Sequence, residues 1–140
     1  MKHARQSTCV AISGRGLLIE GPAGSGKSSL ALALIDRGAR LVGDDGVLLE
    51  CQGHTLTACP HPNTRGLIEV RNLGLVPMAC VESVVVCLLI VLDDAAPRYI
   101  DEPDYIDLLG ASVPSVMLAP QASTLHIKAE LALARYGIAT

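Results

Sequence analysis

The stretch Gly21 to Ser28, GPAGSGKS, constrains this 140-residue chain more than any other. It matches G-x-x-x-x-G-K-[ST] in full, a loop whose backbone N–H groups wrap phosphate oxygens because glycine permits positive φ and close approach. Such a loop needs a strand to deliver it and a helix whose N-terminus faces the bound anion. Both are legible. The run GLLIEG enters the loop as a strand. Lys27 to Arg37 then reads as a helix, with Leu30, Leu34 and Ile35 on one face and Gly38 as a left-handed cap. Gly21, Gly24, Ser25, Gly26 and Ser29 are the candidate nucleotide contacts. Lys27 is expected to reach the β- and γ-phosphates, and Ser28 to hold Mg²⁺.

The helix is followed by ARLVGDD, a strand ending in Asp44 and Asp45. In open α/β sheets that edge faces the ligand crevice. Two adjacent carboxylates project in different directions, so one can meet a metal or its water shell and the other a substrate hydroxyl; a solvated turn is the competing reading. Only four apolar or small residues precede the pair, a shorter run than the strand that usually ends in the metal-side aspartate of P-loop ATPases.

Elsewhere, TCVAI and GLLIEG are strands joined by the hairpin signal SGRG, and GVLLEC and HTLTACP read as antiparallel partners. LIEVRNLGLV reads as one strand that places Glu69 and Arg71 on the same side by two-residue alternation. Val84 to Leu92 is the most apolar strand. Residues 93–114 read as an acidic, proline-broken surface excursion, SVMLAP as a last strand, and Ser123 to Tyr136 as a closing helix stopped by Gly137.

Composition removes several classes of function. Half of the residues are apolar and 18% are charged, which suits a folded chain, read here as one domain over residues 1–140. With no Phe or Trp and a net charge of −3, there is neither an aromatic platform nor a basic field for nucleic acid. The nine residues of VVVCLLIVL fall short of the roughly twenty a membrane span needs. The N-terminus lacks the pattern of a signal peptide. Five cysteines without a Cys-x-x-Cys pair read as small buried hydrophobes in a reducing cytoplasm, and the scattered histidines do not make a zinc site.

GPAGSGKSSLALALIDRGARLVGDD together with NTRGLIEVRNLGLV resembles the catalytic domain of the HPr kinase/phosphorylase family, particularly its short bacterial forms. The resemblance covers most of residues 7–92. It implies a P-loop domain related to the nucleotide-binding part of phosphoenolpyruvate carboxykinase, α/β with a mixed sheet and flanking helices. It also implies an ATP- and Mg²⁺-dependent kinase that phosphorylates a serine of the phosphocarrier protein HPr and reverses the reaction by phosphorolysis. Lys27 would contact the transferring phosphoryl group, Asp45 would exchange the serine proton with Asp44 beside it near the metal, Glu69 would be the second Mg²⁺ ligand, and Arg71 would lie close to the phosphates. From the residues alone, Glu69 and Arg71 also read as a surface ion pair.

This sequence departs from the family pattern in three places. A family histidine fifteen residues before the first loop glycine is matched by Gln6, which can hydrogen-bond but cannot titrate. His3 stands in for it only if the N-terminal segment folds back. Arg98 is the sole counterpart of a later arginine-bearing loop, with a solvated linker as the plainer reading. The C-terminal part, where family hexamers hold their contacts, is short, which leaves homo-oligomerisation open; Lys128 reads as an exposed helical lysine. The alternatives to the kinase are a nucleotide-binding regulatory module and another small P-loop kinase.

Overall fold

The computed structural model describes residues 1–139. Its main sheet has nine strands among these residues: β1 (His3–Arg5), β2 (Thr8–Ile12), β3 (Arg15–Glu20), β4 (Arg40–Gly43), β5 (Val47–Gln52), β6 (Thr55–Pro60), β9 (Val84–Leu92), β10 (Asp104–Leu108) and β11 (Ala111–Leu118). The spatial order runs β1-β5-β6-β9-β3-β2-β4, with β11 also on β9 and β10 on β11. Only the β3–β9 and β9–β11 pairings are parallel, so the sheet is mixed. Helices α1 (Lys27–Asp36) and α2 (Leu125–Tyr136) complete the α/β fold.

Alternation along the strands divides the core between the two faces of the sheet. Val10, Leu17 and Ile19 meet Leu30, Leu34, Ala129 and Leu133 of the helices. Cys9, Ala11 and Leu18 face the other way and meet Val42, Val47, Leu49, Leu56 and Ala58. Among the described residues no helix packs on that second face; the sheet curls so that β4, β5 and β6 close it, with Leu108, Ala111 and Val113 of β10 and β11 beside them. The central strand β9 serves both faces, and its alternation slips where Gly16 pairs with Val86 but Leu17 pairs with Leu88. A Cβ on Gly16 would lie 2.6 Å from the Val85 carbonyl oxygen, which leaves room only for hydrogen. Gly16→Ala is therefore expected to destabilise the protein by about 1–3 kcal/mol, read as a lower denaturation midpoint at unchanged slope.

Two expectations need correction. LIEVRNLGLV is a hairpin rather than one strand: β7 (Leu67–Val70) and β8 (Gly74–Pro77) form their own two-stranded sheet. Asn72 at φ 75 and Gly74 at φ 102 turn the chain, and Leu73 N–H closes the turn on the Val70 carbonyl. Residues 93–114 are not all excursion, because β10 and the start of β11 form a hairpin through Leu109 and Gly110, both at positive φ. Ile106 and Leu108 turn toward the core, while exposed Asp104 and Asp107 mark β10 as a charged edge strand. Three-residue β1 was too short to carry a pattern.

Candidate functional site

Strand β3 ends at Glu20, and the glycine loop follows against the end of β9. A Cβ on Gly21 would stand 2.9 Å from the Leu92 carbonyl oxygen, so the close approach of loop to strand requires glycine there. Gly24 and Gly26 take φ of 78 and 98, turning their peptide groups into the loop, and the Gly26 carbonyl accepts the Leu30 N–H to start α1. The helix stops in a Schellman motif, with Ala39 N–H on the Leu34 carbonyl and Gly38 N–H on that of Ile35. That stop sends β4 back along the sheet to the same edge, where Asp44 and Asp45 emerge beside the loop.

A tight turn carries the two aspartates, between the end of β4 and the start of β5. A Cβ on Gly43 would come within 2.5 Å of the Gly46 carbonyl oxygen, so Gly43 allows the chain to fold directly over itself. Asp44 is 6% exposed and fully partnered. Its Oδ1 accepts the Ser28 hydroxyl at 2.7 Å and the Thr8 hydroxyl at 3.0 Å, and its Oδ2 accepts the Glu69 N–H at 2.8 Å. Three donors satisfy the charge that burial would otherwise penalise. Asp45, in contrast, is exposed and sits at φ 56, a left-handed conformation that aspartate tolerates better than most residues. Its Oδ1 accepts one bond, from Gln6 Nε2 at 3.2 Å.

These groups line one cleft of about 630 Å³, together with Lys27, Ser29, Glu69 and Arg71. Lys27 Nζ donates to the Gly21 carbonyl at 2.9 Å, folding its ammonium over the loop. Glu69 and Arg71 are both exposed at the mouth. Of the ion pairs among the described residues, none includes either of them. Glu20 also lines the cleft, and Arg5 neutralises it through two bonds of 2.6 and 2.9 Å. That pairing raises the Arg5 pKa against the opposing effect of burial. Cys9 lies beneath the site, and full burial pushes its thiol well above the ordinary range, so it is inert there.

The donor set suits a magnesium ion that arrives with a nucleotide. Ser28 gives its proton to Asp44 and keeps lone pairs for a cation, and the Glu69 carboxylate is exposed a short way along the cleft. No group of three His, Cys, Asp or Glu side chains among the described residues forms a protein-only cage. Magnesium commonly binds one or two protein oxygens plus substrate phosphates, so no such cage is needed.

The structure thus gathers the glycines, Lys27, Ser28, Ser29, both aspartates, Glu69 and Arg71 around one cleft. Ser25 does not line it; its hydroxyl is buried behind the loop without a partner. Arg98 and Lys128 are exposed away from it. His3 pairs with Leu49 in β1, and Gln6 takes the place beside Asp45. The sequence reading passed over Thr8. The usable signal was the two-residue step from Gln6, which puts both side chains on one face, and a polar residue opening an otherwise apolar strand.

The HPr Serine kinase C-terminal domain family matches residues 1–83. The HPr kinase/phosphorylase of Clostridium tetani is 47% identical over 68 residues, covering 48% of this chain and 22% of that protein. That of Mycoplasmopsis pulmonis is 42% identical over 74 residues, 53% of this chain and 24% of the relative. The aligned stretch thus spans under a quarter of either curated relative. Among solved structures, the Hpr(Ser) kinase/phosphatase of Coxiella burnetii superposes with a TM-score of 0.82 at 29% identity, over 94% of both chains. With the family match covering more than half of its length, the chain belongs to the HPr serine kinase C-terminal domain family.

Proposed function

We propose that the protein transfers the γ-phosphoryl group of ATP to a serine of an HPr-like phosphocarrier protein, with Mg²⁺ and in the cytoplasm, and that the same site run backward carries phosphorolysis. One observation carries this reading: adjacent aspartates on one turn are split into a buried, triply bonded Asp44 tied to Ser28 and an exposed Asp45 that lines the same cleft as the lysine loop. A site that only binds nucleotide has no use for the second carboxylate. The names of the relatives and the five free cysteines support the substrate and the compartment.

In this reading Lys27 and Arg71 neutralise charge on the transferring group, which matters because phosphoryl transfer depends on positioning and electrostatics more than on covalent help. Bound at Ser28 and Glu69, Mg²⁺ would supply further neutralisation of the phosphate oxygens. Asp45 accepts the proton from the serine hydroxyl as its oxygen bonds to phosphorus and ADP leaves. In phosphorolysis an oxygen of inorganic phosphate bonds to the phosphoserine phosphorus, the bond from phosphorus to the serine oxygen breaks as Asp45 returns a proton to that oxygen, and pyrophosphate is released.

Lys27→Ala tests the loop half of this reading. Transfer to HPr is expected to fall by about 10²–10³-fold, with weakened ATP binding, in a radiolabel assay beside equilibrium nucleotide titration. ATP binding that Lys27→Ala abolishes, without transfer to any HPr by the wild type, selects the nucleotide-binding regulator instead. Gln6 favours that second reading, since the side chain bonded to Asp45 is an amide that relays no proton.

A further inference from the structure

Thr8 opens β2 with its side chain fully buried, yet its hydroxyl faces the two aspartates rather than the apolar core. It donates to Asp44 Oδ1 at 3.0 Å and accepts the backbone N–H of Asp45 at 3.2 Å. A hydroxyl has one proton and two lone pairs, so both bonds are made at once. One oxygen therefore touches both members of the pair, the first through its side chain and the second through its main chain.

The two contacts have different consequences. On the Asp44 side, Thr8 and Ser28 donate to the same oxygen, so Thr8 helps to fix the carboxylate that orients the Ser28 hydroxyl. On the Asp45 side, the bonded N–H belongs to the residue at φ 56, a sparsely populated conformation that persists only where its surroundings hold it. Among the described residues, Asp45 makes only this bond and the exposed contact from Gln6. We infer that Thr8 is a positioning residue: its hydroxyl ties the carboxylate that orients Ser28 to the backbone that aims Asp45, so both sides of the cleft align as one unit. This role rests on the kinase reading above and adds to it a residue that acts through the aspartates.

Valine fills the volume of threonine without the hydroxyl, and serine keeps the hydroxyl without the methyl. The test is steady-state transfer to HPr by wild type, Thr8→Val and Thr8→Ser, and by Asp45→Asn with and without Thr8→Val. Nucleotide binding is measured on each variant to verify a folded loop. Thr8→Val is expected to lower kcat by about 100-fold while leaving KM for ATP near the wild-type value, and Thr8→Ser to restore most of kcat. On the Asp45→Asn background, Thr8→Val is expected to cost clearly less than it does in the wild type, the remainder being the loss on the Asp44 side, because groups acting through one another are not additive.

Wild-type kcat in Thr8→Val, an equal loss in Thr8→Ser, or a full additional loss on Asp45→Asn overturns the role. An insoluble Thr8→Val moves the comparison to Thr8→Ala under the same criteria. A wild-type protein that binds ATP but modifies no HPr contradicts the kinase reading, and this role with it. A wild type that does modify HPr, with Thr8→Val undiminished, contradicts the role alone.

Discussion

Asp45→Asn is expected to lower phosphoryl transfer by about 10²–10⁴-fold, the range a positioned general base contributes, with nucleotide affinity little changed. The substitution isolates the carboxylate because asparagine also tolerates the left-handed conformation that Asp45 holds at φ 56. The Asp45 N–H still reaches Thr8, and the amide oxygen can still accept from Gln6. What disappears is the ability to take a proton from the incoming serine. Because the Asp45 carboxylate is exposed and its partner Gln6 is exposed as well, the thermal midpoint is expected to stay near that of wild type. Single-turnover transfer and a parallel ATP titration separate the two effects.

Asp44→Asn acts on the same turn by a different route, and is expected to reduce both stability and cation use. In one amide orientation the NH₂ group faces the Glu69 N–H, donor against donor, in a site that is 6% exposed. The cost is about 1–3 kcal/mol of stability. In the other orientation the NH₂ group donates to Ser28, reversing that bond and occupying a lone pair that a cation needs. Either way transfer falls by about 100-fold or more. A magnesium titration is expected to show a higher half-saturating concentration than in wild type. Chemical denaturation of the nucleotide-free protein reads the stability loss separately.

The loop, helix and strand around these residues were legible because each rests on a local rule. Glycine spacing announces the loop, Gly38 ends the helix, and the short apolar run of β4 delivers the aspartates. Elements governed by turn geometry were harder to read. LIEVRNLGLV is rich in strand formers and alternates around Glu69 and Arg71, and only Asn72 and Gly74 betray the turn that makes it a hairpin. Glu69 nevertheless reaches the cleft because Ile68 anchors β7 in the helix-side core, which turns its neighbour outward. The acidic β10 was hidden by its own protection, since charges on an edge strand resemble those of a solvated linker. Thr8 was missed because its importance is tertiary: β2 meets β4 through long-range pairing, and no local pattern states that its hydroxyl lands between Asp44 and Asp45.

The most direct test is the intact mass and site mapping of a cognate HPr incubated with the wild-type protein, ATP and Mg²⁺, beside reactions with Asp44→Ala and Asp45→Ala. A single added phosphate on one serine, dependent on Mg²⁺ and lost with Asp45→Ala, is the result expected if the lysine loop and the aspartate turn form one transfer site. HPr left unmodified by a protein that binds ATP, or labelled as strongly by both aspartate variants as by wild type, would contradict it.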